Sequence, residues 1–407
     1  MPKQKMMSKA ILAFLFSIVL FDMMGSTLLL TVQAFIVKEF NTTALAVSLL
    51  VVIYAGSLFF AAPILGRISD RYGRRPILLI CFLGSAIGYF IFGIGGALWV
   101  LYVSRAIDGF TGGNFSIVQA YIADITSESE RAKYFGLIVG AASGLGVVIG
   151  PFIGGILSQI SLSTPVYLAG IFALIEIILC LVLLPESLPR AERNHKMIKL
   201  SDINPFKLIG GMLKRPVIGI LLIIFGLIEF VFDGTNVNIP VYLIHKSNIS
   251  TLEFGILFGL VGIILIIIQG GLIGILTKKF KEKTLLMAGL LIMIIGLISF
   301  TLATSLLLIY ITVIIMVIGY AMMVPVLSAL LSNNVSSKEQ GEMFGVNSSL
   351  IGLMAALGPL YAGLAYDLIV PNAPFWIGAI LLVLSIILII RLKIVPMPST
   401  DKIVDGD

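Results

Sequence analysis

Six ionisable residues stand inside long apolar runs of this chain: Asp22, Arg105, Asp108, Glu176, Glu229 and Asp233. A charge at the centre of a bilayer costs at least about 2.5–3.5 kcal/mol, so each should face a polar cavity, hold a partner or carry a proton. Helical spacing sorts them. Arg105, Asp108, Gly112, Ser116 and Gln119 share one face, and Asp108 lies three residues from Arg105, within pairing reach. Asp22 shares a face with Ser26 and Gln33, and Glu229 shares one with Asp233 and Asn236. Glu229 and Asp233, one turn apart, repel when both are ionised; shared protonation is one reading, a structural or outer-vestibule role the other. Arg105 can tune a neighbouring acid, bind an anionic group, or simply fix its helix by pairing with Asp108. Glu176 is expected to snorkel or to pair between helices, and Asn114 to point away from the Arg105 face and pack.

The chemistry these residues offer is reversible protonation, not bond breaking. His195 and His245 fall in opposite loops, and no H-E-x-x-H, G-x-S-x-G or P-loop pattern occurs, so neither an enzyme nor an ATP-driven pump is expected. Cys81 and Cys180 both lie in apolar runs, which speaks against a disulfide framework or a metal cluster.

The elements that must position these groups are membrane helices. With 59% apolar and 12% charged residues, the 407-residue chain has too little polar surface to coat a soluble domain. Twelve apolar runs are each long enough to cross a roughly 30 Å hydrocarbon core as helix. They cover about 10–37, 44–65, 76–94, 98–122, 134–157, 165–184, 216–240, 254–276, 284–302, 306–331, 344–365 and 374–390. None is short and alternating as a β-barrel strand would be. The amino-terminal run is too long for a secretory signal and is read as span one. The loops between runs are very unequal in charge: 24 of the 27 Lys and Arg residues fall on one side, only Lys38 and Lys246 on the other, and Arg105 within a span. By the positive-inside rule both termini and the central loop are expected in the cytoplasm. The net charge of +6 is then a topology signal and gives no reason to expect a nucleic-acid partner.

The chain also repeats itself. Gly66–Leu78 returns 208 positions later as Gly274–Leu286, and Ala123–Gly136 returns as Ser332–Gly345. Gly150-Pro151 returns as Gly358-Pro359. The expected architecture is therefore all-α, twelve transmembrane helices in two six-helix repeats: residues 1–184, a basic linker 185–215, and residues 216–407.

Four motifs carry a family resemblance. Gly66-Arg67-Ile68-Ser69-Asp70-Arg71-Tyr72-Gly73-Arg74-Arg75 resembles the signature loop of the major facilitator superfamily. Gly144-Leu145-Gly146-Val147-Val148-Ile149-Gly150-Pro151-Phe152-Ile153-Gly154-Gly155 resembles the span-five pattern of antiporters. Leu101-Tyr102-Val103-Ser104-Arg105-Ala106-Ile107-Asp108-Gly109 resembles the span-four arginine motif, with Asp108 where the family usually has Gln. Phe21-Asp22-Met23-Met24-Gly25 resembles the span-one acid of tetracycline/proton and related drug/proton antiporters, although the prolines often found later in that span are absent around Thr31-Val32-Gln33.

The resemblance implies a major facilitator fold whose halves rock about a central site lined by spans one, four, seven and ten. It implies a conformational latch of Gly66, Asp70, Arg71, Gly73 and Arg74 working with Asp124 at the inner end of span four. The alternative is that the hinge arginines only set topology. Asp22 becomes the first choice for the exchanged proton, the alternative being a structural hydrogen-bonded acid. Gly146, Gly150, Pro151, Gly154 and Gly155 would form a close-packed gating stripe, or ordinary small-residue packing. The expected activity is proton-coupled antiport exporting small amphipathic compounds or drugs, needing no cofactor beyond the proton gradient. The expected partners are a small-molecule substrate, protons and the lipid bilayer, with a monomer in the cell membrane. A symporter or lipid-linked-sugar flippase on the same fold, and a non-transporting membrane sensor, are the alternatives.

Overall fold

The computed structural model describes residues 9–126, 130, 134–193, 205–335 and 339–392. Both chain ends and His195, which entered the reading above, lie outside the described residues, as do parts of several charged loops. Among the described residues the regular structure is helical throughout.

Among the described residues, eleven helices are long and apolar enough to cross a membrane. They are spans one (Lys9–Lys38), two (Ala44–Tyr72), three (Arg74–Ile94), five (Phe135–Leu157), six (Thr164–Leu183), seven (Pro216–Ser247), eight (Thr251–Lys279), nine (Glu282–Leu302), ten (Leu306–Asn333), eleven (Gln340–Leu368) and twelve (Ala373–Arg391). The shortest has 19 residues, or roughly 28 Å at 1.5 Å per residue, enough for the hydrocarbon core. Span four is the twelfth, and it is interrupted: Leu98–Thr111 and Asn114–Ile125 are separated by Gly112–Gly113. Two successive glycines remove the side chains that favour continuous helix, and the chain takes a two-residue turn there. Span five begins with a π-helical segment, Phe135–Ala141, and span eight is interrupted by one, Ile268–Leu272, before it resumes as Ile273–Lys279.

One expectation about the hinge changes. Gly66–Arg75 is not a loop: span two continues as helix to Tyr72, span three starts at Arg74, and the turn is Gly73 alone. Gly73 adopts φ 109°, and a Cβ there would run into the Glu186 carboxylate, so the position requires glycine twice over.

Long apolar side chains such as Ile80, Leu83 and Ile87 lie exposed along one face of span three. In water such a stripe would be a liability; here it is the lipid-facing side of an integral, multi-pass membrane protein. The two halves meet along two seams, span two against span eleven and span five against span eight. Glycine makes both seams close. A Cβ on Gly155 would meet Thr251, Leu252 and Gly255, and one on Gly363 would meet Leu45 and Ser48. These contacts cluster at the end of the bundle away from the hinge. They extend inward as far as Gly144 against Ile266 and Gly352 against Phe59. Toward the hinge end, Cβ atoms on Gly66, Gly136, Gly270, Gly271, Gly274 and Gly345 would meet nothing within 4 Å. The halves are thus shut at the far end and splayed at the hinge end. The short linker helix Pro205–Leu213 crosses between them, with Phe206 against Phe59 of span two at a ring-centroid distance of 5.5 Å.

Candidate functional site

The interrupted span four contributes a charge pair and the donor to a second acid in the first half. Arg105 Nη1 donates to Asp108 Oδ2 at 3.1 Å, as the three-residue spacing suggested, and both side chains are 5% exposed. The Arg105 guanidinium also lies over the rings of Phe92 (5.2 Å), Tyr89 (5.4 Å) and Tyr54 (5.8 Å). Arginine tolerates this because a planar, weakly hydrated cation gains from aromatic faces on top of its ion pair. Its Nε and Nη2 are buried without a hydrogen-bond partner among the described residues.

Asp22 is half-buried on span one and accepts a hydrogen bond from Asn114 Nδ2 at 2.6 Å. This corrects the reading of Asn114 as a packing residue. Continuous helical phase through residues 105–119 turned it away from the polar face, but the Gly112–Gly113 break starts a second helix with Asn114 as its first residue. For Glu176 the structure removes one of the two expected roles, snorkelling, and leaves the interhelical one. The residue is 2% exposed on span six, which packs against spans one and three, so it does not snorkel, and its Oε1 has no partner among the described residues.

In the second half, Glu229 is 3% exposed and takes the Tyr320 hydroxyl on both carboxylate oxygens, at 3.3 and 3.2 Å. Tyr320 stands on span ten, its ring stacked on Phe232 with centroids 3.5 Å apart. Asp233 is half-buried and its Oδ2 has no partner among the described residues. Sequence reasoning placed Glu229 and Asp233 on one face but missed Tyr320, whose partner lies 91 positions away and leaves no local signal.

At the hinge, Arg74 is the centre. Its Nη1 pairs with Asp70 Oδ1 at 2.5 Å and with Ser69 Oγ at 2.6 Å, and its Nε with Asp124 Oδ2 at 3.2 Å. Ser187 donates to the same Asp124 oxygen at 2.9 Å. Glu186 accepts from the backbone N–H of Arg74 (2.8 Å) and Arg75 (3.3 Å), capping the start of span three, since Gly73 has no side chain to do so. The Gly66 carbonyl accepts from Ser69 Oγ at 2.6 Å. Arg71 is not gathered into this cluster; its guanidinium lies 5.5 Å from the Tyr72 ring. Sequence reading missed Glu186 and Ser187, which sit in the linker.

The span-five stripe divides its work. Cβ atoms on Gly146, Gly150 and Gly154 would meet span one at Met23, Thr27 and Thr31, while Gly155 faces span eight across the seam. Pro151 lies within the helix, and its carbonyl oxygen would meet a Cβ on Gly255. The glycines therefore anchor span five to the acid-bearing span one and let it approach the opposite half. No group of three or more His, Cys, Asp or Glu residues suited to a metal ion occurs among the described residues.

The arrangement is that of a carrier, two helical halves with buried acids and one closed end. A family model described as Major Facilitator Superfamily matches residues 14–280 and 270–405. The tetracycline resistance protein, class C, of Escherichia coli is 32% identical over 329 residues, covering 81% of each chain. Multidrug resistance protein 1 of Bacillus subtilis (strain 168) is 29% identical over 91% of this chain and 93% of its own. Among solved structures, the human organic anion transporter MFSD10 (TETRAN) superposes with a TM-score of 0.70 at 23% identity, covering 94% of this chain and 99% of that one. With a family model spanning nearly its whole length and a relative above 30% identity over most of it, the chain belongs to the major facilitator superfamily and is a transporter, not an enzyme.

Proposed function

We propose that this transporter is a proton-coupled antiporter that exports small amphipathic compounds by alternating access. The observation that carries the reading is Asp22: a half-buried acid within a membrane span, held by one neutral donor, Asn114, and close in the fold to the Arg105–Asp108 pair. An acid so placed can exchange a proton and still be reached from the space between the halves. The proton gradient supplies the drive, and no cofactor is required. Glu229 and Asp233 are the reserve site, and Arg105 and Asp108 tune the first. Asp70, Arg74 and Asp124, with Gly66 and Gly73 shaping the turn, form the latch; Arg71 contributes charge to the hinge end.

The substrate class follows from relatives named for tetracycline and multidrug resistance. The two halves, residues 1–184 and 216–407, rock as units joined by the linker 185–215. The closed far end and splayed hinge end correspond to one end-state of that motion. The excess of Lys and Arg on the hinge side favours a cytoplasmic hinge end and cytoplasmic termini, and so an inward-facing end-state of what we read as a monomer in the cell membrane.

The experiment is reconstitution of the protein into vesicles carrying a pH-sensitive dye, with tetracycline and a panel of amphipathic compounds as substrates. Antiport gives proton movement opposite to substrate movement, abolished by collapsing the pH gradient. Proton movement in the same direction as substrate would make the protein a symporter, and substrate flux indifferent to the gradient would remove proton coupling altogether.

A further inference from the structure

The closed far end is held by an acid that none of the motifs includes. Asp367, at the end of span eleven, accepts from the backbone N–H of Ala44 at 3.1 Å through Oδ1 and from that of Leu45 at 2.8 Å through Oδ2. Those are the first two residues of span two, in the other half. The first N–H groups of a helix have no intrahelical acceptor and carry the positive end of its dipole, so a carboxylate is the best partner they can find. Span two does not supply its own: Thr43, at the capping position, makes no side-chain capping bond. The cap comes from across the seam. Next to it the seam is tight, with Gly363 against Leu45 and Ser48, and Asn238 Nδ2 reaching Ser48 Oγ at 3.4 Å.

The internal repeat supplies a control. Moved back by 208 positions, Asp367 becomes Gln159, Gly363 becomes Gly155 and the span eight residue Thr251 becomes Thr43. The second seam keeps the glycine contact, Gly155 against Thr251, Leu252 and Gly255. Its polar link is a neutral one: Ser158 Oγ to Thr251 Oγ1 at 2.6 Å, with Gln159 Nε2 at 3.5 Å from the same oxygen. Span eight has its own capping box, Ser250 with Glu253, so its first turn needs nothing from span five. A charged cross-seam cap is present where the helix lacks a cap of its own and absent where it has one.

We infer that Asp367 is a positioning residue of the transport cycle: its carboxylate caps span two from the opposite half and thereby favours the state closed at the far end. Opening that end must withdraw the carboxylate and leave the span-two N–H groups to water, so the cap weights the equilibrium between the two end-states. It touches neither substrate nor proton in this role.

The test measures populations directly. The full-length protein, with Cys81 and Cys180 replaced by alanine, is spin-labelled at Glu39→Cys and Val370→Cys, both exposed positions at the far end of opposite halves, and distances are measured in lipid nanodiscs. Asp367→Asn keeps the side-chain shape but loses the charge and one acceptor. It should raise the ratio of far-end-open to far-end-closed molecules, and Asp367→Ala should raise it further, by about two- to thirty-fold, the span expected for losing a helix cap. Thr43→Asp then separates tie from local stabilisation. Added to Asp367→Ala, it gives span two a cap of its own, and the population should stay open because nothing crosses the seam. Wild-type distance distributions in Asp367→Asn and Asp367→Ala would overturn the inference. So would a return to the closed population in the Thr43→Asp/Asp367→Ala double variant, which would make the cap a local helix stabiliser. If Asp367→Ala does not fold, Asp367→Asn and Thr43→Asp alone decide: both should open the far end, and unchanged distances in both would overturn the proposal.

Discussion

The two halves share a scaffold but not their buried charge. The contact of Gly88 with Asp108 in the first half returns, 208 positions on, as Gly296 against Met316. Likewise Gly150-Pro151, where Gly150 meets Met24 and Thr27, returns as Gly358-Pro359, where Gly358 meets Phe230 and Gly234. The glycine contacts that let backbones approach are thus kept in both copies. The ionisable groups are not: Arg105, Asp108 and Glu176 correspond to Val313, Met316 and Leu384, and Asp22 to Phe230. The second half instead has Glu229 and Asp233, opposite Phe21 and Gly25 of the first. Backbone packing is a property of the fold and any small residue serves it, whereas a buried charge persists only where it has a partner or a task. The first half pairs Arg105 with Asp108 and ties Asp22 to Asn114, whereas in the second Glu229 is held by a tyrosine hydroxyl.

Removing the proton-bearing acid should break this comparison most severely. Asp22→Asn is expected to abolish uphill, pH-driven transport while leaving substrate binding detectable, since binding needs the space between the halves and coupling needs a titratable group. Uphill transport at the wild-type level in vesicles would move the proton site elsewhere, with Glu229→Gln and Asp233→Asn tested next.

Making the first half resemble the second sharpens it. Asp108→Met copies Met316 but strands Arg105 with only aromatic neighbours, which should destabilise the protein by roughly 3–5 kcal/mol, the usual result of removing one partner of a buried ion pair. The double variant Arg105→Val/Asp108→Met copies the second half fully and should recover most of that loss, because a well-packed apolar pair replaces a desolvated one. Thermal unfolding in detergent measures both. A double variant no more stable than the single would mean that the pair organises the half beyond its own two residues.

At the hinge, Asp70→Asn should leave folding and substrate affinity near wild type and slow the interconversion of the two end-states. Asp70 pairs with Arg74 at the surface end of span two and shares it with Asp124. Charge loss there changes a state equilibrium by the modest amount expected of a part-exposed pair, roughly 1 kcal/mol or less. Wild-type turnover with unchanged spin-label distances would leave the hinge charges with topology alone.

The spans, the repeat and the Arg105–Asp108 pair were legible in the sequence because each rests on composition or on spacing within one helix. What was missed depends on where a helix restarts or what faces it. Asn114 was assigned to the wrong face since two glycines reset the phase before it. Arg71 was grouped with Arg74 although only the latter turns toward Asp70 and Asp124. Asp367 gave no signal at all, because its partners are backbone N–H groups more than 300 positions away, and backbone donors have no sequence.

The smallest effect compares the two carboxylate–donor pairs. Asn114 donates to Asp22 at 2.6 Å, and the Tyr320 hydroxyl to Glu229 at 3.2 and 3.3 Å. Asn114→Ala and Tyr320→Phe each remove one donor, and Phe keeps the ring stacked on Phe232. A hydrogen bond worth about 1 kcal/mol corresponds to roughly 0.7 of a pH unit in the titration of the group it serves. If the first-half acid carries the exchanged proton, Asn114→Ala should move the pH of half-maximal transport by about that much, while Tyr320→Phe leaves it in place and costs stability only. The reverse pattern, a moved midpoint in Tyr320→Phe and none in Asn114→Ala, would assign coupling to the half that lacks the ion pair. The Arg105–Asp108 pair would then be a structural substitute for the Val313–Met316 packing of its twin.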